Sequence, residues 1–71
     1  MKFDVYGRFQ VEVLREAGRW VAYRIDLGKR ARIHNLAIPE ELQTPGEIGR
    51  YLDDLYHEVA RPGETVSVVS D

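Results

Sequence analysis

Cysteine is absent from the 71 residues. That removes disulfides, a thiolate nucleophile, any cysteine-containing zinc site and any thiol redox switch. No apolar stretch approaches the roughly 20 residues a membrane span needs. The opening Met1-Lys2-Phe3-Asp4 also lacks the charged and apolar regions of a secretory leader. The expected compartment is the cytosol, with no membrane partner. Charge of one sign is scarce too: a net charge of −2 gives no overall field for general nucleic-acid binding. Repeats and low-complexity tracts are missing. Gly28 and Gly46 stand alone rather than in a phosphate-cradling loop. There is no GxSxG, so a serine nucleophile would have to be Ser67 or Ser70. No cofactor is expected.

What remains is ordinary globular composition, 44% apolar and 31% charged. The chain is too short for two packed cores and reads as one domain over residues 1–71. A domain this size buries only about 60% of its extended-chain surface, so its net stability is expected to be about a few kcal/mol. Charge is split along the chain. Residues 1–38 carry eight Lys/Arg against four Asp/Glu, a net +4, and residues 39–71 carry two against eight, a net −6. A split of this kind places differently charged faces on sheet and helix, or marks an electrostatic docking surface.

Alternation predicts the strands. Phe3, Val5, Gly7, Phe9, Val11 and Val13 alternate with Asp4, Tyr6, Arg8, Gln10 and Glu12, which reads as one half-buried strand with Gly7 as a bulge or close approach. A break over residues 15–19 leads to a second strand, with Val21, Tyr23, Ile25 and Leu27 inward and Trp20, Ala22, Arg24 and Asp26 outward. Placing Val13 opposite Val21 makes every cross-strand pair plausible. After Gly28-Lys29 a third strand sends Ala31 and Ile33 inward and Arg30, Arg32 and His34 outward. Thr44-Pro45-Gly46-Glu47 is a capping box with proline at the first helical position. The helix it opens carries a stripe of Ile48, Leu52, Leu55 and Val59, flanked by Tyr51 and Tyr56, and ends at Arg61-Pro62-Gly63. Thr65 to Ser70 predicts a last strand. The fold class is therefore α+β: a β-β-β-α-β domain whose antiparallel three-stranded sheet gains a final strand, with one helix packed on one face. A right-handed crossover would set the last strand parallel beside the first, in the order 3-2-1-4.

On this register Tyr6, Arg8, Trp20, Arg24, Arg30, Arg32 and His34 project from the sheet face opposite the helix, and Lys29 joins Arg30 and Arg32 in a basic second hairpin. Trp, Tyr and Arg are the residue types that dominate protein-binding hot spots. The same mixture of rings and guanidinium groups can stack single-stranded bases and neutralise phosphates. Asp4, Glu12 and Asp26 share that face and would pair with several of the arginines. On the helix, Asp53 and His57 lie at i, i+4, a spacing that suits metal ligation or acid/base work. Two ligands do not make a metal site, however, and such pairs are common helix decoration.

Trp20-Val21-Ala22-Tyr23, the Asp26-Leu27-Gly28 turn and Thr44-Pro45-Gly46-Glu47 together resemble the pattern of HicB-type antitoxin domains. The resemblance covers residues 1–60 in order of elements. It implies three antiparallel strands, a helix, a fourth strand, and binding of a small toxin protein. Residues 29–43 make a longer connection than the family pattern.

These readings converge on a non-enzymatic interaction module working through the open sheet face. A protein partner or a second copy in a homodimer ranks first. A single-stranded nucleic acid is the alternative, and an enzyme using Asp53 and His57 is a distant third.

Overall fold

Three X-Gly pairs, Tyr6-Gly7, Ala17-Gly18 and Leu27-Gly28, shape the sheet. In the computed structural model, which describes residues 1–70 apart from the side chain of Ser70, both residues of each pair have positive φ, between 51° and 78°. That is the backbone of a tight hairpin turn whose twist matches the flanking strands, with two loop residues at Ala17-Gly18 and Leu27-Gly28 and three, residues 6–8, at the first. Three such turns make a four-stranded meander: β1 (Lys2–Val5), β2 (Phe9–Glu16), β3 (Arg19–Asp26) and β4 (Lys29–Arg32). At the first turn the Arg8 amide donates to the Val5 carbonyl at 3.0 Å, and the Gly7 amide donates to Asp4 Oδ2 at 2.9 Å.

The chain then crosses to α1 (Pro45–Tyr56), makes one 3-10 turn (His57–Val59), and ends in β5 (Val66–Ser70). The fold is α+β, one five-stranded antiparallel sheet in the order β4-β3-β2-β1-β5 with one helix. The last strand does lie beside the first, but antiparallel to it, pairing Phe3 with Val68 and Val5 with Val66. The extra hairpin at Tyr6-Gly7 explains the difference. Splitting residues 3–13 into two strands adds one chain reversal, so the strand arriving from the helix runs opposite to β1.

Register moves as well. The two-residue Ala17-Gly18 turn pairs Glu16 with Arg19 and hence Val13 with Ala22 and Val11 with Arg24. Cross-strand partners point to the same face, so odd residues of β2 share a face with even residues of β3. The helix side of the sheet holds Phe3, Val5, Val11, Val13 and Ala22, all nearly inaccessible, and Ile48 and Leu52 of α1 close over them. Tyr23, Ile25 and Val21 face the other way, a correction to the inward row expected of them.

The capping box forms as predicted. Glu47's amide donates to Thr44 Oγ1 at 3.2 Å, and Glu47 Oε1 accepts from the Thr44 amide at 3.1 Å. Amide donors from Gln43 and Thr44, with the Thr44 hydroxyl, hold the Glu47 carboxyl below its ordinary value. The stripe is shorter than predicted. The helix ends at Tyr56, short of Val59, Leu55 and Val59 are both about half exposed, and Tyr56 packs edge-on against Phe9. Residues 33–43 fold over the stretch of β3 that β4 does not reach. They bury Ile38 and take hydrogen bonds from Trp20 Nε1 to the Leu42 carbonyl at 2.9 Å and from the Tyr51 hydroxyl to the Ala37 carbonyl at 2.8 Å.

Leu27 occupies the left-handed region at φ 52° and is 95% exposed. A branched side chain there is strained, whereas asparagine accepts that backbone readily. Leu27→Asn is expected to raise stability by about 1 kcal/mol, read as a higher urea midpoint at unchanged slope. An unchanged or lowered midpoint would mean that the leucine packs against something within the chain.

Candidate interaction surface

The register decides which side chains can act together. Of the seven residues expected on the open face and Lys29 of the basic hairpin, only Arg30 and Arg32 stand there, paired across the ladder with Ile25 and Tyr23. Trp20 and Arg24 point to the helix side. Arg15 stacks on the Trp20 ring at 4.0 Å, and Arg24 covers the Phe9 ring at 3.9 Å while reaching Asp26 at 3.5 Å. Lys29 pairs with Asp26 on that same side, and His34 is exposed in the turn after β4.

Tyr6 and Arg8 belong to neither face. Tyr6 is 6% exposed, and its hydroxyl donates to Asp53 Oδ1 at 2.6 Å and to the Asp53 carbonyl at 3.1 Å. Burial first, and then the hydrogen bond to Asp53, push its pKa up to about 12. Arg8 reaches down to the end of the helix. Nη1 donates to the Val59 carbonyl at 2.8 Å, and Nη2 meets Glu64 Oε1 at 2.8 Å. Glu64 Oε1 also accepts from the Arg61 amide at 2.6 Å. Together these contacts tie the first hairpin to the turn that follows α1.

The open face therefore has a different composition from the one expected. Val21, Tyr23 and Ile25 run along β3, and Leu14 stands opposite Val21. Val21 is buried, and the other three are half-buried. Around this apolar band lie Lys2, Glu12, Glu16, Arg19, Arg30 and Arg32. Arg30 stacks on Tyr23 at 3.9 Å and reaches Glu12 at 3.4 Å, and the Tyr23 hydroxyl donates to Glu16 Oε2 at 3.0 Å. The sequence did carry a signal for this arrangement: glycines at 7, 18 and 28 recur at the spacing of successive hairpins. A two-residue Ala17-Gly18 turn alone would have exchanged the faces of β3.

Residues 1–70 match the family model described as a domain of unknown function, DUF7661. The chain belongs to that family. No curated protein and no solved structure matches it. The HicB-type order of three strands before the helix is not the order found, since four strands precede α1.

In this DUF7661 chain the enzyme candidates Asp53 and His57 stand in the last turn of α1 and at its C-cap. Asp53 serves as acceptor to Tyr6, and with His57 it lines an open groove of about 370 Å³ beside Pro62 and Gly63. Among the described residues no group of three His, Asp or Glu could hold a metal ion. Ser67 lies on the open face opposite Asp4, and the hydroxyl of Ser70 falls outside the described residues. Among the described residues, no helix is long and apolar enough to cross a membrane.

Proposed function

We propose that this domain is a non-enzymatic protein-interaction module whose working surface is the open sheet face, centred on Val21, Tyr23 and Ile25 with Leu14 beside them. The supporting observation is one of coverage. The single helix covers one side of the sheet. The 33–43 loop wraps the β3 edge, where Glu40 meets Arg19 and Leu36 to Ile38 line a cleft with Val21 and Arg32, while the rest of the other side presents an apolar band ringed by charge. Tyr23 and Arg30 are hot-spot residue types, and their stacking, braced by Glu12 and Glu16, fixes them before a partner arrives. Side chains already ordered lose less entropy on binding.

The partner this face fits is a protein with an apolar ridge and an acidic margin. Arg30 and Arg32 line the β4 side of the band, and Arg19 lies along it. A single-stranded nucleic acid fits less well. Tyr6, Arg8, Trp20 and Arg24 are drawn away from this face, and Glu12 and Glu16 remain on it.

Ile25→Arg tests the reading, since it sets a charge into the band beside Tyr23 without touching the core. Against a partner captured by the wild type and identified as protein after nuclease treatment, the variant is expected to lose about 2 kcal/mol or more, roughly thirtyfold in Kd. His57→Ala, on the far side, should bind as the wild type does. Undiminished binding by Ile25→Arg would remove the open face from consideration.

A further inference from the structure

The sheet has two outer edges, and they are treated differently. β4 carries Lys29, Arg30 and Arg32 in four residues, so a strand laid against it from another copy would oppose cation to cation. Such charge is a common way of keeping an edge from pairing. β5, at the opposite edge, reads Val66-Ser67-Val68-Val69-Ser70, with neither charge nor proline.

Hydrogen-bond alternation tells which β5 groups point outward. The Thr65 carbonyl accepts from the Tyr6 amide at 3.2 Å, so Thr65 and Ser67 turn toward β1, and the N–H and C=O of Val66 and Val68 face away from the sheet. Backbone groups on such an edge are a template for another strand.

We infer that the outer edge of β5 is a self-association seam, on which a second copy of this chain adds its own β5 antiparallel about a two-fold axis. In that register Val66 of one copy lies opposite Val68 of the other, and Ser67 lies opposite Ser67. The two valine pairs exchange about four backbone hydrogen bonds. No charge opposes a like charge across the seam. Val66 and Val68 point to the helix side, where a groove of about 330 Å³ runs between α1 and β5, floored by Gly46, Gly49 and the two valines. Val68 is still 48% exposed there, and the valines of a second copy would extend this apolar floor. Arg50 and Asp53 on the groove wall carry opposite signs, so a surface facing itself across a two-fold axis need not repel. The bulge opposite Lys2 and Phe3 ends the regular edge after Val68, which keeps the seam short and the dimer dissociable. This edge is separate from the open face and stands whether or not that face binds a partner.

Light scattering and amide hydrogen exchange on the full chain test the seam. The wild type is expected to rise from 8.2 kDa toward twice that mass with concentration. Over the same range the Val66 and Val68 amides should become protected, and the Ser67 amide, already bonded to β1, should not change. Val68→Pro removes one outward donor and leaves the β1 ladder intact, and proline is tolerated on an edge; its mass should stay at 8.2 kDa. If circular dichroism shows that variant unfolded, Val68→Lys carries the test with the same expected mass. A wild type that remains monomeric into the millimolar range overturns the inference. So does a dimer that persists in whichever Val68 variant folds, or one that Ile25→Arg abolishes.

Discussion

Phe3→Ala is expected to leave most of the chain unfolded in water at room temperature. Phe3 is wholly inaccessible and sits on β1, between Val11 of β2 and Val68 of β5. Its ring also meets the helix: a Cβ placed on Gly49 would come within 3.3 Å of Phe3 Cε2, so α1 approaches the sheet closely because residue 49 has no side chain. One ring therefore joins three strands to the helix. Truncating a buried phenylalanine costs about 3–5 kcal/mol through lost transfer energy and an unfilled cavity. A domain of this size is expected to hold about a few kcal/mol in total, so the loss consumes the whole margin. Circular dichroism and amide dispersion of Phe3→Ala should be those of an unfolded chain, whereas Phe3→Leu, losing about 1–1.5 kcal/mol, should still melt cooperatively. A Phe3→Ala variant melting within about 1 kcal/mol of the wild type would show that the core is not organised around this ring.

Local chemistry was legible in the sequence, and long-range geometry was not. The capping box, the helix start at Pro45 and the final strand follow from residues whose effect is confined to one turn or one strand. The face of a strand is different, because side chains alternate and a slip of one residue reverses every assignment. Val21, Tyr23, Ile25 and Leu27 looked like an inward row because they are apolar, while Trp20, Ala22 and Arg24 between them looked polar enough to be outside. Length and partner settled it. Trp20 finds the Leu42 carbonyl and a covering Arg15, and Arg24 lays its guanidinium on Phe9 with its charge still in water. Long amphipathic side chains can line a core margin in this way. The first hairpin was hidden for a related reason. Tyr6 occupies a turn position where asparagine or aspartate is the usual signal, and its ring is part of the core.

Tyr6→Phe is expected to cost about 1–3 kcal/mol at neutral pH, because it deletes a hydroxyl that donates to the Asp53 carboxylate at 2.6 Å and to its backbone carbonyl. The variant should also alter the response to alkali. In the folded wild type, burial foremost, then the hydrogen bond to Asp53 and the charges of Asp53, Glu64 and Asp54, raise the Tyr6 pKa from 10.0 to about 12. A group whose folded pKa lies above its unfolded value stabilises fully below the unfolded value, and that contribution fades as pH climbs through the folded one. Wild-type stability should therefore decline between pH 10 and about 12. Tyr56, raised mainly by burial and offset by Arg24, contributes in the same direction. Tyr6→Phe keeps only the Tyr56 share, so its urea midpoint should fall less steeply over this window, and equal slopes would place the Tyr6 hydroxyl in water. Leu27 is the useful contrast. Both residues sit in the left-handed region, at φ 57° and 52°. At Tyr6 the strain is offset by a buried ring and a hydrogen bond that ties the first hairpin to α1, whereas Leu27 meets only solvent. The same backbone geometry thus makes Tyr6 a place where substitution weakens the fold and Leu27 one where it strengthens it.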